Sequence, residues 1–212
     1  MRPKLVNGEI YHICNKSIAN FGIFKNEHNC KRFLKAVDFY NNIFVWSSLS
    51  QAVKRKKYVS SNLMALKNDG LIKILSYCIV PDHYHLLFKV QKEYPISKYI
   101  NDIENSYTRY FNVKYNRKGP LWQSRYRCVL IKSDEQLLHT SRYIHLNPST
   151  GGLVEQPEDW IYSSYRDLIF NPDILQDLKE ISIRDGETYR RFVEDNLDYQ
   201  KNLKRIKNLI LD

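Results

Sequence analysis

Four short apolar segments, each bounded by turn-forming residues, predict β-strands. They cover residues 9–14, 71–80, 83–90 and 125–131. Only Pro81-Asp82 separates the second segment from the third, so these two segments are expected to form a hairpin.

Segments with apolar residues at helical spacing alternate with these strands. Residues 27–46 show this spacing, and so does a segment that begins at Pro95 and ends near residue 116. Ser133 and Gln136 form a capping-box pattern that opens a third helix. Pro148 is expected to end that helix, because the residue before a proline avoids helical dihedral angles.

The order of the first six elements is strand, helix, strand, strand, helix, strand. This βαββαβ order predicts a ferredoxin-like α+β fold with helices on one face of the sheet. We expect residues 1–150 to form that domain, with a polar linker at 47–70 that contains some helix. Residues 151–212 are expected to form a mostly helical C-terminal extension. Because this fold hosts many functions, the function has to be argued from particular residues.

The charge of the chain points to a class of partner. The 212 residues carry a formal net charge of +10, and 43% of them are hydrophobic, which excludes a disordered chain. A positive excess of this size usually indicates a polyanionic partner, most often nucleic acid. The 16 tyrosines suit stacking on exposed bases, although filling half-buried positions accounts for most of them.

The cysteines and the absence of targeting patterns predict a cytoplasmic protein. None of the four cysteines has C-x-x-C spacing, which excludes a zinc ribbon or a thioredoxin-type site. The N-terminal residues lack the apolar core of a signal peptide, and no window is apolar enough for a membrane span. We therefore expect reduced thiols and no membrane partner.

Two histidines stand at alternate positions of the third predicted strand. Because alternate side chains of a strand share a face, His83 and His85 project in the same direction. Two neutral imidazoles side by side make half of a metal site. Taken alone, the pair is more often an ordinary surface or core pair.

A second group of polar residues lies on the helix that follows Ser133. His139, Tyr143 and Asn147 are spaced four residues apart and form one stripe. The Asn147 amide oxygen can ligate a hard cation, and the Tyr143 phenol can meet a substrate held by that cation. The alternatives are a packing tyrosine and an ordinary asparagine at a helix end.

Several segments resemble, in order along the chain, the IS200-like single-tyrosine HUH transposases, and in particular the REP-associated tyrosine transposase family. The segment 77–88 is similar to the family's HUH motif, and 142–148 is similar to its tyrosine motif. Segments 119–126 and 157–165 match its Gly-x-Leu-Trp-Gln and Pro-Glu-Asp…Ser-Ser-Tyr elements. Asp82 departs from the usual asparagine and adds a charge beside the histidines.

The resemblance implies a metal-dependent single-stranded DNA endonuclease and strand transferase, acting in DNA transposition or in processing of REP hairpins. It implies that His83, His85 and Asn147 bind one divalent cation, and that Tyr143 is the nucleophile of a 5′-phosphotyrosine intermediate. Two imidazoles and one oxygen suit Mn²⁺ on ligand grounds, whereas Mg²⁺ prefers more oxygen ligands; the resemblance allows either ion. His139 or His145 could tune such a site, although packing or surface roles are the commoner explanation.

The implied partner is single-stranded or hairpin DNA, bound by a monomer or a homodimer. Candidate DNA contacts are basic residues near the proposed site or in a basic run, together with one tryptophan that could instead cap the core. They are Lys54, Arg55, Lys56, Lys57, Arg109, Lys114, Arg117, Lys118, Trp122, Arg125 and Arg127. The C-terminal basic residues, from Arg190 and Arg191 to Lys201, Lys204, Arg205 and Lys207, could add affinity or simply lie on a packed helix.

Two other functions stay open at this point. A domesticated relative could bind DNA hairpins without transposition, with the same residues intact. A non-catalytic single-stranded nucleic-acid-binding module could share the βαββαβ order and the charge, but it would need aromatic residues exposed on its central strands.

Overall fold

The computed structural model of the protein describes residues 5–59, 62–65 and 70–202. These residues include four strands and seven α-helices. In chain order these are β1 (Ile10–Lys16), α1 (Glu27–Tyr40), α2 (Leu49–Lys54), β2 (Ile72–Val80), β3 (His83–Val90), α3 (Ile96–Lys114), β4 (Arg127–Ile131), α4 (Asp134–Thr150), α5 (Tyr165–Phe170), α6 (Pro172–Asp177) and α7 (Gly186–Glu194). Every helix of this described part is too short or too polar to cross a bilayer.

The four strands form one antiparallel sheet in the order β2-β3-β1-β4. This is the order of a ferredoxin-like sheet, so the predicted α+β fold is confirmed. Helices α1 and α3 pack against each other on one face, as expected. Helix α4 packs on β2 and β3.

The alternation of side chains along β3 gives the sheet two different faces. Tyr84 points to α1 and α3, where its ring lies 4.7 Å from that of Phe33 and 5.6 Å from that of Trp122. Phe24 and Tyr107 complete this aromatic core. Since successive side chains of a strand alternate, His83 and His85 point to the opposite face.

A buried carboxyl group fixes β1 and β3 to α3. Glu104 Oε1 accepts hydrogen bonds from Asn15 Nδ2 and from the Tyr84 hydroxyl, both at 2.7 Å. Burial and the neighbouring Glu104 raise the pKa of Tyr84 well above its ordinary value, so its proton stays in this bond.

Two predicted helix ends differ from the structure. Helix α1 ends at Tyr40, because the Asn41 side chain bonds the backbone N–H and C=O of Ile72 and turns the chain toward β2. Helix α4 was predicted to end before Pro148, but it continues to Thr150. A proline near the end of a helix removes one backbone donor, and the helix still gains the bond from Gly151 N–H to Asn147 O.

The segment after α4 packs on the sheet and on α4. Residues 162–164 run along the outer edge of β2, where Ile79 N–H donates to Tyr162 O and Ser164 N–H donates to Tyr77 O. Helix α7 packs against α4. The expected C-terminal helices are present among the described residues, and this part of the chain packs on the sheet formed by β1 to β4; residues 203–212 of the expected extension lie outside the described residues.

We expect Phe33→Ala to lower the free energy of unfolding by about 3–5 kcal/mol, because the substitution leaves a cavity among four aromatic rings. Urea unfolding followed by circular dichroism measures the change. Phe44→Ala is the matched control: Phe44 is 68% exposed, so its effect should stay within about 0.5 kcal/mol. A loss below about 1 kcal/mol for Phe33→Ala would contradict this description of the core.

Candidate active site on the histidine face of the sheet

The two histidines of β3 share one face of the sheet with side chains of β1. The rings of His83 and His85 lie 5.0 Å apart, nearly perpendicular to each other. Across the sheet, Cys14 stands opposite His85 and Lys16 stands opposite His83. We call this side of the sheet, with its two histidines, the histidine face.

Helix α4 crosses the histidine face and places two polar side chains on His85. The Tyr143 ring lies 5.5 Å from the His85 ring, edge to face. Asn147 Nδ2 lies 3.1 Å from His85 Nε2. The structure thus brings His83, His85, Tyr143 and Asn147 together within one chain, as the predicted site requires.

Each histidine of β3 has a hydrogen-bond partner at Nδ1. His83 Nδ1 lies 2.6 Å from Asp82 Oδ1, and His85 Nδ1 lies 2.9 Å from His12 Nε2. Burial alone would raise the pKa of Asp82, but the hydrogen bond and charge of His83 and the charge of Lys16 outweigh it and lower this pKa to about 2. The carboxylate is therefore ionised and accepts a hydrogen bond from His83 Nδ1–H.

The Asn147 Nδ2 donor faces His85 Nε2, so the proton of the neutral His85 ring lies on Nδ1 and His12 Nε2 accepts the hydrogen bond. Burial lowers the pKa of His12 to about 4 and that of His85 well below its ordinary value, so both rings are neutral at pH 7. A proton on His85 Nδ1 leaves the lone pair on Nε2, the atom that the Asn147 amide meets. Partners of this kind fix the tautomer of a metal-ligating histidine and orient its ring. The two Nε2 atoms and an amide oxygen, reached by turning the Asn147 side chain, are a donor set that fits a divalent cation.

Tyr143 is protonated at neutral pH. Burial, and then the nearby Cys14, raise the pKa of its phenol, and a hydrogen bond with Asn147 only partly opposes them. Its side chain is nevertheless 48% exposed, so a substrate can reach it.

Two residues of this site, His12 and Cys14, were not among those predicted from the sequence. His12, Cys14 and His85 form a group whose ligand atoms all lie within 4.8 Å of one another and which could hold a metal ion. His12 and Cys14 have the same alternate spacing on β1 as His83 and His85 on β3, and that spacing was the available signal. The register that sets Cys14 against His85 could not be read from the sequence.

The predicted DNA contacts are spread over the molecule. Arg127 pairs with Cys14 across β1 and β4, so it lies on the histidine face. Arg117 binds Asn112 and the Pro120 carbonyl, and Lys114 binds Asn29 and Tyr110. The exposed members are Lys54, Arg55, Lys56, Lys57, Arg109, Lys114, Lys118, Arg125 and Arg127.

Trp122 lies in the aromatic core on the other face of the sheet, where its Nε1 donates to the Glu104 carbonyl. His139 is exposed at the start of the polar stripe and contacts Arg142. Among the C-terminal basic residues, Arg190 pairs with Glu158 and Arg191 with Glu187. Lys204, Arg205 and Lys207 lie outside the described residues.

A buried polar network holds α4 from the side opposite the histidine face. His145 Nε2 lies 2.8 Å from Ser164 Oγ, and His145 Nδ1 lies 2.9 Å from the Tyr189 hydroxyl. The same hydroxyl contacts Ser141 Oγ. Because Ser141 and His145 flank Tyr143, the network holds this part of α4 against α7.

Comparisons with known proteins agree with the motifs. Residues 40–147 match the family model described as Transposase IS200 like. A putative REP-associated tyrosine transposase of Haemophilus influenzae is 36% identical in an alignment of 104 residues that covers 43% of this chain and 57% of that protein. A REP-associated tyrosine transposase of Escherichia coli is 24% identical over 104 residues, 49% of this chain and 60% of that protein. The matches thus span less than two thirds of either relative.

A solved structure shares the fold. It is a REP-associated tyrosine transposase bound to a REP hairpin, with a TM-score of 0.56 and 17% identity, covering 81% of this chain and 85% of that one. At this identity the likeness concerns the fold.

The buried His145 should make stability fall in acid. Burial lowers its pKa from 6.5 to about 3, so between these values the unfolded chain binds the extra proton and unfolding is favoured as pH falls. From pH 7.5 to 5.5, this one group should cost about 1.4 kcal/mol of unfolding free energy. Between these two pH values, the free energy of unfolding of His145→Gln should therefore fall by about 1.4 kcal/mol less than that of the wild type. Urea unfolding at both pH values measures this difference.

His139→Gln, at an exposed position of the same helix, is the control and should keep the wild-type pH dependence. An unchanged pH dependence in His145→Gln would refute the assignment of a neutral buried imidazole.

Proposed function

The chain belongs to the IS200-like transposase family, and we propose that it cleaves and rejoins single-stranded DNA through a 5′-phosphotyrosine intermediate on Tyr143. The observation that carries the proposal is the contact between α4 and the histidine face. Within one chain, the Tyr143 ring lies 5.5 Å from the His85 ring. The Asn147 amide lies 3.1 Å from the Nε2 atom of the same histidine.

His83 and His85, through Nε2, and Asn147, through its amide oxygen, would hold one divalent cation. When bound, Mg²⁺ or Mn²⁺ supplies a Lewis acid that polarises a phosphate oxygen and neutralises its charge. The protein's part is to keep both Nε2 lone pairs available, which Asp82 and His12 do by accepting hydrogen bonds from the two Nδ1–H groups.

Tyr143 supplies the nucleophile. Its hydroxyl oxygen forms a bond to the phosphorus, the bond from phosphorus to the 3′ oxygen breaks, and the phenol proton ends on the released 3′-hydroxyl, directly or through water. Because its pKa is raised, the phenol attacks from its protonated form and gives up the proton during the step. A 3′-hydroxyl of another strand can reverse the reaction and rejoin DNA.

Single-stranded or hairpin DNA is the substrate that we infer. The net charge of +10 favours a polyanion, and the solved relative was bound to a REP hairpin. On the histidine face, Arg127 is paired with Cys14 and Lys16 is paired with His83 on the neighbouring strands, so both cations are positioned to meet phosphates. A complete set of four site residues in one chain supports action as a monomer.

The rival binding functions make different demands. A base-stacking module of the βαββαβ type needs aromatic rings on its central strands, whereas the histidine face of β1 and β3 carries His12, Cys14, His83 and His85. A domesticated hairpin-binding protein would keep the same residues, so an assay of covalent chemistry must separate it from an active transposase.

We expect the wild-type protein, incubated with Mn²⁺ and labelled single-stranded DNA that carries a hairpin, to form a covalent adduct on a denaturing gel. Tyr143→Phe should remove the adduct completely, because phenylalanine has no nucleophilic oxygen. His83→Ala should reduce it strongly, and Tyr199→Phe, at an exposed position, should leave it unchanged. Adduct formation by Tyr143→Phe would assign the nucleophile to another residue, and binding without any adduct would favour the hairpin-binding function.

His12→Asn should weaken cation binding without removing any of the three proposed ligands, His83, His85 and Asn147. Loss of an outer partner of a ligating histidine typically costs about 10- to 100-fold in metal affinity. The Mn²⁺ concentration for half-maximal adduct formation should rise by that factor, and saturating Mn²⁺ should restore most of the rate. His139→Asn is the control, since His139 is exposed and contacts Arg142 instead of a proposed ligand; an equal effect of the two substitutions would argue against the positioning role of His12.

A further inference from the structure

Two aromatic side chains lie exposed in the loop that joins α1 to α2. The Trp46 side chain is 90% exposed and that of Phe44 is 68% exposed. Their rings are nearly parallel, with an angle of 9° and 6.2 Å between centroids. We call them the aromatic pair. Exposed apolar surface of this kind, concentrated in one place, usually marks a binding site.

The neighbouring helix adds positive charge to the aromatic pair. Ser48 caps α2 two residues after Trp46, and the helix ends at Lys54. Arg55, Lys56 and Lys57 follow directly, and all four basic side chains are exposed. The six residues of α2 span about 9 Å, so the basic residues 54–57 begin at a distance from the two rings that a few nucleotides can bridge.

We infer that the aromatic pair is a binding site for unpaired nucleobases, and that residues 54–57 hold the adjoining phosphates. Parallel exposed rings next to a basic segment are the combination with which proteins bind single-stranded nucleic acid irrespective of its sequence. A second copy of the chain is a poorer occupant, because the two basic runs would repel each other. The inference rests on the proposed function in one respect, that the partner is DNA.

This site is separate from the histidine face. The loop follows α1, whose end is tied by Asn41 to Ile72 at the start of β2. His83 comes after Val80, at the other end of that strand. Nine strand residues span about 30 Å. The bases bound here therefore belong to a segment of the DNA away from the cleaved phosphate.

The test compares two fluorescent single-stranded oligonucleotides of equal length, one of thymidines and one with abasic positions, which keeps the phosphates and removes the bases. The protein is the full chain with Tyr143→Phe, so that cleavage does not interfere. Trp46→Ala should weaken binding of the thymidine oligonucleotide by about 5- to 100-fold and leave binding of the abasic one unchanged. Trp46→Phe should retain most of the affinity, and Tyr199→Ala is the matched control at another exposed aromatic.

Three results would overturn the inference. They are equal affinity of Trp46→Ala and its parent for the thymidine oligonucleotide, equal weakening for both oligonucleotides, and a dimer in sedimentation that Trp46→Ala converts to a monomer. Absence of DNA binding by the parent protein would overturn both this inference and the proposed substrate. Binding that depends on Trp46, combined with no adduct from the protein that keeps Tyr143, would overturn the cleavage reaction alone.

Discussion

The contact between α4 and the histidine face is the interaction on which the rest of the site depends. A strand can align two imidazoles, and a helix can carry a phenol and an amide one turn apart, but neither element makes a reactive site alone. Packing of α4 across β2 and β3 brings the amide of Asn147 to His85 and the phenol to its ring edge. The His145 network on the other side of α4 then fixes the helix at that position.

The site also depends on a layer of hydrogen bonds behind the β3 histidines. Asp82 and His12 use different chemistry for the same purpose: one is an ionised carboxylate, the other a neutral ring. Both leave the Nε2 atom of a β3 histidine free to bind a cation. The replacement of the family's asparagine by Asp82 therefore strengthens the acceptor at Nδ1 of His83 and, through Lys16, joins this ring to β1.

Much of the fold could be predicted because periodicity and turn residues are local signals. Alternation in residues 83–90 fixed which side chains share a face, and the helical stripe placed Tyr143 and Asn147 together. Strand register and contacts between residues distant in sequence are not local signals, so the roles of His12 and Cys14 were missed. The end of α4 was also predicted wrongly, since a general rule about proline was applied where the following turn supplies its own hydrogen bonds.

The segment 162–164 has a consequence for how copies of the chain can meet. By bonding to Tyr77 and Ile79, it occupies backbone groups of β2 that an edge strand would otherwise leave free to pair with a strand of another molecule. The opposite border of the sheet is β4, with only five residues and an exposed arginine at its first position. Continuation of the sheet from one molecule into the next would have to start there, on a short and positively charged border, which disfavours aggregation by strand addition.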